Sequence, residues 1–237
     1  MVDKLRNWRR PLGRLAAELI VVVLGVTIAL WADAWVAERK DRAVETARLV
    51  ALQDNVEVSL TELSEARDNA AGAADALLKL ALLERRDHRD DEVIELLRHG
   101  FLYALAFYPE LNVYDDLKSS GELALLSNPE LRRSLATMDS RLELMRAAQA
   151  DLATVQQLNF DSYMINRFDL RLFYEFLSGL YHIAEASEMD LGFTSDMEFR
   201  NIVLFKLDLV TQADEALQNL EDELITVQQI IASQLTT

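Results

Sequence analysis

The feature that most constrains this chain is a run of fourteen uncharged residues near its N-terminus, from Leu19 to Ala32. At about 1.5 Å of rise per helical residue, this run covers only about 21 Å of a hydrocarbon core that is about 30 Å thick. Residues 15–37 form a stretch of 23 residues, which reaches about 34 Å if Glu18 and Asp33 lie near the two headgroup layers. We therefore predict one transmembrane helix over residues 15–37.

The residues that flank the span predict its orientation. Trp31 and Trp35 lie one helical turn apart at its distal end, as in the aromatic belts found at membrane–water interfaces. Residues 1–14 contain five basic residues and one acidic residue, a net charge of +4. Because basic segments stay on the cytosolic side, we predict a bacterial inner-membrane protein with residues 1–14 as a cytosolic tail. Residues 38–237 would then form a domain in the periplasm or outside the cell.

A cleaved secretory signal is the alternative interpretation of the same segment. A basic start, an apolar run and the small-x-small triplet at residues 32–34 match the three parts of such a signal. However, neither Pro nor Gly occurs from Val26 to Ala71, which favours an unbroken helix where cleavage needs an extended segment. We therefore favour an uncleaved anchor.

Two residues of the span are candidates for contacts within the membrane. One interpretation of Glu18 is functional: it marks an ion pathway or a contact with a partner within the membrane. The other is structural: Glu18 is a helix-start carboxylate stabilised by the helix dipole and by Arg14. The helix-start interpretation is the simpler one. Gly25 permits the close approach of a second helix, with Ala29 as the small residue four positions on.

Composition predicts an acidic, helical domain after the span. The chain has only seven Gly and three Pro, which argues against a sandwich or barrel. Its formal net charge is −16, and since the tail carries +4 and the span −2, the region from Glu38 carries −18. Such a surface repels nucleic acid, so we expect no nucleic-acid partner. The absence of Cys excludes disulfides and thiol chemistry.

Apolar residues recur at intervals of three and four residues in three long segments, as amphipathic helices require. The first segment runs from Leu49 to Leu80 and includes Leu60, and the second runs from Leu131 to Leu158. The third has a nearly heptad seam, typical of coiled coils, from Val203 to Ile231.

Capping residues and breakers mark where these helices begin. Asn128, followed by Pro129, opens the second long helix, and a capping box at residues 195–198 opens the third. Asp91 caps a shorter apolar helix that stops before Pro109. The predicted fold class is all-α: one N-terminal transmembrane helix continues into an antiparallel helical bundle with long helices and short aromatic-rich helical segments, the latter between residues 160 and 193.

The best candidate for an interaction surface lies after the shorter apolar helix that Asp91 is predicted to cap. Gly121 occupies a natural left-handed position after a helix end, and small polar residues beside it leave backbone groups accessible. A structural turn that sets the angle between helices is the simpler alternative. The candidate surface consists of Tyr114, Lys118, Ser119, Ser120 and Gly121.

The span with its charged continuation (residues 18–42), the segment YDDLKSSGELALLSNPELRRSL (residues 114–135) and the segment EFRNIVLFKL (residues 198–207) carry a family resemblance. The chain resembles a bacterial domain-of-unknown-function family of small single-pass membrane proteins, which shares the pattern Y-x-x-L-x-x-S-G-x-L-x-L-I-x-x-x-E-L-R. Leu126 stands where the family has Ile. The resemblance implies a membrane location and a helical extracytoplasmic domain, and it implies no activity. The matching residues are Tyr114, Leu117, Ser120, Gly121, Leu123, Leu125, Glu130, Leu131 and Arg132.

No pattern of catalytic or metal-binding residues is found in the sequence. The three His, at positions 88, 99 and 182, do not share a helix face, and there is no phosphate loop, nucleophile elbow or calcium loop. We therefore expect no enzyme, no cofactor and no metal. The preferred hypothesis is a membrane-anchored, non-catalytic scaffold that binds itself or another membrane protein. The alternatives are an extracytoplasmic ligand sensor or accessory subunit, and a homo-oligomeric pore lined by Glu18.

Overall fold

The computed structural model describes residues 9–83, 90–102, 107–109, 111–167 and 195–236. All regular secondary structure in these ranges is helical, which confirms the all-α prediction. The chain divides into two compact units, Met1–Val50 and Ala51–Thr237. The α-helices are α1 (Arg9–Leu82), α2 (Asp90–Leu97), α3 (Asn112–Ser120), α4 (Pro129–Val155), α5 (Ser162–Arg167) and α6 (Met197–Leu235).

Two segments of π-helix interrupt the α-helical geometry. The first π segment, Arg98–Leu102, follows α2, and the second π segment, Gln156–Asp161, joins α4 to α5. Chain direction is maintained through the second π segment, so Pro129–Arg167 is one continuous helical element. The remaining short element is a 3₁₀ turn, Glu122–Leu125.

The element Pro129–Arg167 runs antiparallel to α6. Gln156 contacts Lys206, whereas the later residue Tyr163 contacts the earlier residue Asp196. Paired positions that advance in opposite directions define an antiparallel pair, as the sequence predicts. Helix α1 also contacts α6, through Arg67, which forms ion pairs with two α6 carboxylates.

The buried residues of α1 match the predicted apolar stripe except at one position. Ser59 is completely buried, whereas Leu60, which the sequence places in the stripe, is only partly buried. Strict alternation of three- and four-residue steps from Val56 to Leu63 selects position 59, so geometry overrides side-chain polarity here. The buried apolar residues of α1 in the second unit are Leu52, Val56, Leu63, Ala66, Ala70, Ala73, Ala76, Leu77 and Leu80.

The prediction that the seam of the second long helix extends to Leu158 is wrong. Leu158 is 68% exposed, and Phe160 is buried in its place. The reason is the second π segment, because its wider turn inserts an extra residue and rotates the following side chains out of the α-helical register.

Caps set the helix starts within a residue of the predicted positions. The Asn128 side chain accepts hydrogen bonds from the backbone N–H groups of Glu130 and Leu131, with Pro129 as the first helical residue, as predicted. At α6 the cap is Asp196, which accepts from the Glu198 N–H at 3.1 Å, one residue after the predicted Ser195.

The shorter helix α2 begins two residues before its expected start at Glu92, and it does not reach Phe107, where the sequence predicts its end. It starts at Asp90, where the sequence predicts Asp91 as the cap. The described helical path continues through the first π segment to Leu102, and residues 107–109 are not helical. Of the aromatic-rich segments predicted between residues 160 and 193, the part from residue 168 onward lies outside the described residues.

Candidate functional site

The apolar segment of α1 has no protein cover in the described part of the chain. Large apolar side chains from Leu19 to Val36 are between 45% and 69% exposed. By length and composition this helix is apolar enough to cross a membrane, and none of its most apolar window is buried. Thr27, the hydroxyl side chain within the run, donates to the Val23 carbonyl at 2.8 Å. The segment therefore presents an apolar surface around its whole circumference.

The predicted anchor residues lie at separate places along this segment. Glu18 and Asp33 are both exposed, and about 22 Å of helix separates them. Nothing lies within 4 Å of a Cβ built on Gly25, which leaves that face open to an approaching helix. Trp31 is exposed, whereas one face of the Trp35 ring is covered by the Arg39 guanidinium at 4.0 Å. This cation–π contact places an aromatic ring and a charge together at the distal end of the apolar segment.

The predicted interaction surface is a cluster held together by its own contacts. Tyr114 is buried, and the Lys118 ammonium donates to both carboxylate oxygens of Asp139 on α4, at 2.6 and 2.7 Å. Burial, and next the Asp139 carboxylate, raise the pKa of Tyr114 above its usual range. The cluster fastens α3 to α4.

Small residues of the predicted interaction surface form the hydrogen bonds that end α3. Gly121 adopts φ 78°, in the left-handed region, and donates its N–H to the Lys118 carbonyl. The Ser119 and Ser120 hydroxyls donate to the backbone carbonyls of Asp116 and Leu117. These are the contacts that a structural turn needs. An interaction role for the exposed side of this turn stays a prediction.

A buried lysine lies where three helical elements meet. Lys206 of α6 is 7% exposed, and its ammonium donates to the Phe101 carbonyl at 3.4 Å and to the Gln156 side-chain oxygen. The same ammonium lies 4.5 Å from the centroid of the Phe101 ring. The Gln156 amide in turn donates to Asp161 at 2.8 Å. Lys206 thus connects α6 to both π segments.

Burial lowers the pKa of Lys206 to about 8, and the nearby Asp161 carboxylate opposes that shift only in part. The lysine charge is therefore maintained at neutral pH against a desolvation cost. The two π segments also meet through Phe101 and Phe160, whose rings stack with centroids 3.7 Å apart. π segments are frequent at functional sites, and so are buried groups with shifted pKa values.

A third polar cluster connects the start of α6 to α5. The Arg167 guanidinium pairs with Asp196 at 3.1 Å and with Glu198 at 2.8 Å, and it lies 5.2 Å from the Tyr163 ring centroid. The Tyr163 hydroxyl donates to Asp196 at 2.9 Å. Burial and this hydrogen bond raise the pKa of Tyr163. The backbone N–H of Glu198 and the Tyr163 hydroxyl lower the pKa of Asp196.

A groove runs along the outer surface between these two helices. It has a volume of about 680 Å³ and lies between the second π segment with α5 on one side and the first turns of α6 on the other. Leu158, Met197 and Phe205 line it and are 68%, 71% and 54% exposed. Tyr163 and Ile202, which are buried in the core, also border it. The groove therefore combines exposed apolar side chains with polar ones, such as Ser162, Asn166 and Asn201, and it has an ion-paired end.

Sequence reasoning missed the residues that organise this end of the bundle. The seam of α6 steps from Val203 to Val210, and its three- and four-residue spacing requires a buried residue at position 206, which is Lys206. This missing apolar residue was the signal in the sequence that a polar side chain is buried there. Asn55 accepts a hydrogen bond from the Val113 N–H at 2.9 Å and so caps α3 from another helix. No local pattern predicts such a cap, because it depends on the packing of α1 against α3.

Across the described residues, no group of three or more His, Asp or Glu side chains is placed to hold a metal ion. No family model, curated protein or solved structure matches this chain. The resemblance stated from the sequence motifs therefore stays a prediction.

Proposed function

We propose that this chain is a single-pass inner-membrane protein whose helical domain acts outside the cytosol as a non-catalytic scaffold for protein partners. The observation that carries the proposal is the apolar segment of α1, whose large side chains are exposed all around the helix. Exposing this much apolar surface to water is costly, at about 25 cal/mol per Å², and a bilayer removes that cost. The Arg39–Trp35 pair at the distal end suits a membrane–water interface.

The charge distribution supports the orientation with residues 1–14 in the cytosol. Those residues carry a net charge of +4, while the region from Glu38 carries −18. Basic segments beside a span are retained inside the cell. The strongly acidic domain would then be the part that meets partners.

The domain interior supports a scaffold more than a reaction centre. The seam residues Leu217, Leu220 and Leu224 of α6 are at most 2% exposed, so this seam belongs to the core of one chain. Self-association or partner binding must therefore use another surface. The polar clusters of the described residues, around Asp139, Lys206 and Asp196, connect helices to one another.

Labelling of single cysteines tests the proposed placement, because the chain has no Cys of its own. Asn7→Cys and Glu215→Cys are expressed separately and treated in intact cells with a membrane-impermeant maleimide. We expect labelling of Glu215→Cys in intact cells and of Asn7→Cys only after lysis. Labelling of both only after lysis, or release of the chain from membranes by alkaline carbonate, would refute the placement.

A ligand sensor or accessory subunit is the second candidate, and the groove beside α6 favours it. Its volume falls within the range of about 300 to 1,000 Å³ that is typical of small-molecule sites. Native mass spectrometry of the chain extracted gently from its membranes separates the two candidates. A small molecule retained by the monomer supports the sensor, and a retained protein supports the scaffold.

A further inference from the structure

We propose that the groove between α5 and α6 is the docking site for an amphipathic helix of a partner protein with basic residues on its polar face. This inference rests on the proposed scaffold function and names the surface and the chemistry of its partner. It follows from the spacing of the groove walls, from their exposed apolar side chains, and from the charge around them.

The two walls of the groove have the spacing that accepts a third helix. One wall presents Leu158, Ser162 and Asn166, and the other presents Met197, Asn201 and Phe205, each set four residues apart. Side chains four residues apart on an α-helix form a ridge, as Met197, Asn201 and Phe205 do on α6, and the depression beside such a ridge receives a ridge from another helix. Eight residues of helix give a length of about 12 Å, enough for two turns of a bound helix.

The groove is apolar where an anchoring side chain would enter. Leu158, Met197 and Phe205 are all more than half exposed although they surround one depression. Its sides rest on Tyr163 and Ile202, which are part of the core. Helices bind grooves through apolar residues at intervals of three and four, which pack against exposed apolar side chains of this kind.

Charge selects a basic partner over a second copy of this chain. Among the described residues that line the groove, Arg167 is the basic one, and it is paired with Asp196 and Glu198. Those three groups together carry a net charge of −1, and the region from Glu38 carries −18. A second copy would bring the same negative charge to the contact, whereas Lys and Arg beside an apolar stripe would be attracted.

Photo-cross-linking in the native cells identifies the occupant. The photoreactive residue p-benzoylphenylalanine replaces Phe205 in the full-length chain, and a matched variant carries it in place of Leu144, an exposed apolar residue of α4 that does not line the groove. Cross-linked peptides are sequenced by mass spectrometry. We expect the Phe205 position to capture a helical segment of another protein that has an apolar stripe and Lys or Arg on its polar face.

A binding measurement then checks that the groove provides the affinity. The captured segment is synthesised as a fluorescent peptide and titrated with the full-length chain in nanodiscs. Since a buried aromatic anchor contributes at least about tenfold in affinity, Phe205→Asn should weaken binding by about tenfold or more. Leu144→Asn introduces the same uncharged polar side chain outside the groove and should change the binding affinity by less than about twofold. Circular dichroism confirms that both variants remain helical.

The outcomes separate the groove assignment from the scaffold proposal. Cross-linking of Phe205 to this chain's own sequence, or to an acidic helix, would overturn the inference. Capture of a protein from the Leu144 position alone would overturn it and leave the scaffold function standing. Absence of any protein cross-link at both positions would count against the groove and the scaffold together, and a bound small molecule would favour the sensor.

Discussion

Replacement of Lys206 by Met tests whether a charge is buried where α6 meets the two π segments. Methionine keeps the length and apolar stem of the side chain and removes the ammonium. Burial lowers the pKa of Lys206 from 10.5 to about 8. At about 1.4 kcal/mol per pKa unit, the charged lysine therefore costs the folded state roughly 3 kcal/mol at pH 7 relative to the unfolded state.

The sign of the pH dependence follows from this lowered pKa. Between pH 8 and 10.5 the unfolded chain binds more protons at Lys206 than the folded chain does. The free energy of unfolding should therefore rise with pH across this window, by up to roughly 3 kcal/mol from this residue. Below pH 8 the lysine is charged in both states, and its cost is fully present.

Lys206→Met removes this cost and also removes two hydrogen bonds. The Phe101 carbonyl and the Gln156 oxygen lose their donor, at about 1 to 3 kcal/mol for each group left unpaired. The two effects are of similar size, so we expect little net change in stability at pH 7. At pH 10.5 Lys206 is neutral in the folded wild-type protein and no longer carries the cost of a buried charge. The variant should therefore be less stable than wild type by roughly 3 kcal/mol.

The assay is urea unfolding of the full-length chain in nanodiscs, followed by circular dichroism at pH 7, 8.5 and 10.5. The measured quantity is the difference in free energy of unfolding between wild type and variant, because titration of Tyr and other Lys residues cancels in that difference. Lys79→Met, at an exposed lysine, is the matched control and should leave the pH dependence unchanged. Parallel pH profiles for wild type and Lys206→Met would refute the reasoning.

Three further substitutions test the packing of the bundle, each read by urea unfolding at pH 7. Arg67→Ala removes ion pairs to Asp214 at 3.2 Å and Glu221 at 2.5 Å and should cost about 1 to 2 kcal/mol, because the three side chains are only partly exposed. Leu224→Ala truncates a fully buried seam residue and should cost about 2 to 5 kcal/mol; a loss below 1 kcal/mol would place the seam outside the core. Gly121→Ala forces a side chain into φ 78° with open space around it, so a loss of about 1 kcal/mol from the backbone alone is expected.

Much of the helical architecture could be predicted because periodicity and capping are local signals. The three- and four-residue steps of α1 predict nearly all of its buried stripe, and the exchange at Leu60 is an error of one position. The Asn128–Pro129 pair gives the start of α4 correctly. Such signals depend only on neighbours within one or two turns, so a single sequence contains them.

The groove and the contacts of the buried lysine could not be predicted, because both depend on packing between distant segments; only the gap in the α6 seam at position 206 pointed to burial there. Leu158 has the spacing of a core residue and is exposed only because the second π segment shifts the register. Lys206 is polar and would be assigned to a solvated face, yet contacts from Phe101 and Gln156 allow its burial. Neither π segment has a sequence signature comparable to a cap or a turn glycine.

The second π segment also determines how this protein tolerates changes in length. The buried residues along this part of the helix are Leu152, Val155, Phe160 and Tyr163, at intervals of three, five and three residues. Deleting one residue between Gln156 and Phe160 would give intervals of three, four and three, which an ordinary α-helix satisfies, so Phe160 and Tyr163 would still face the core. The same deletion early in α4 has no wide turn to absorb it, so it would rotate one part of the buried seam by about 100° relative to the other.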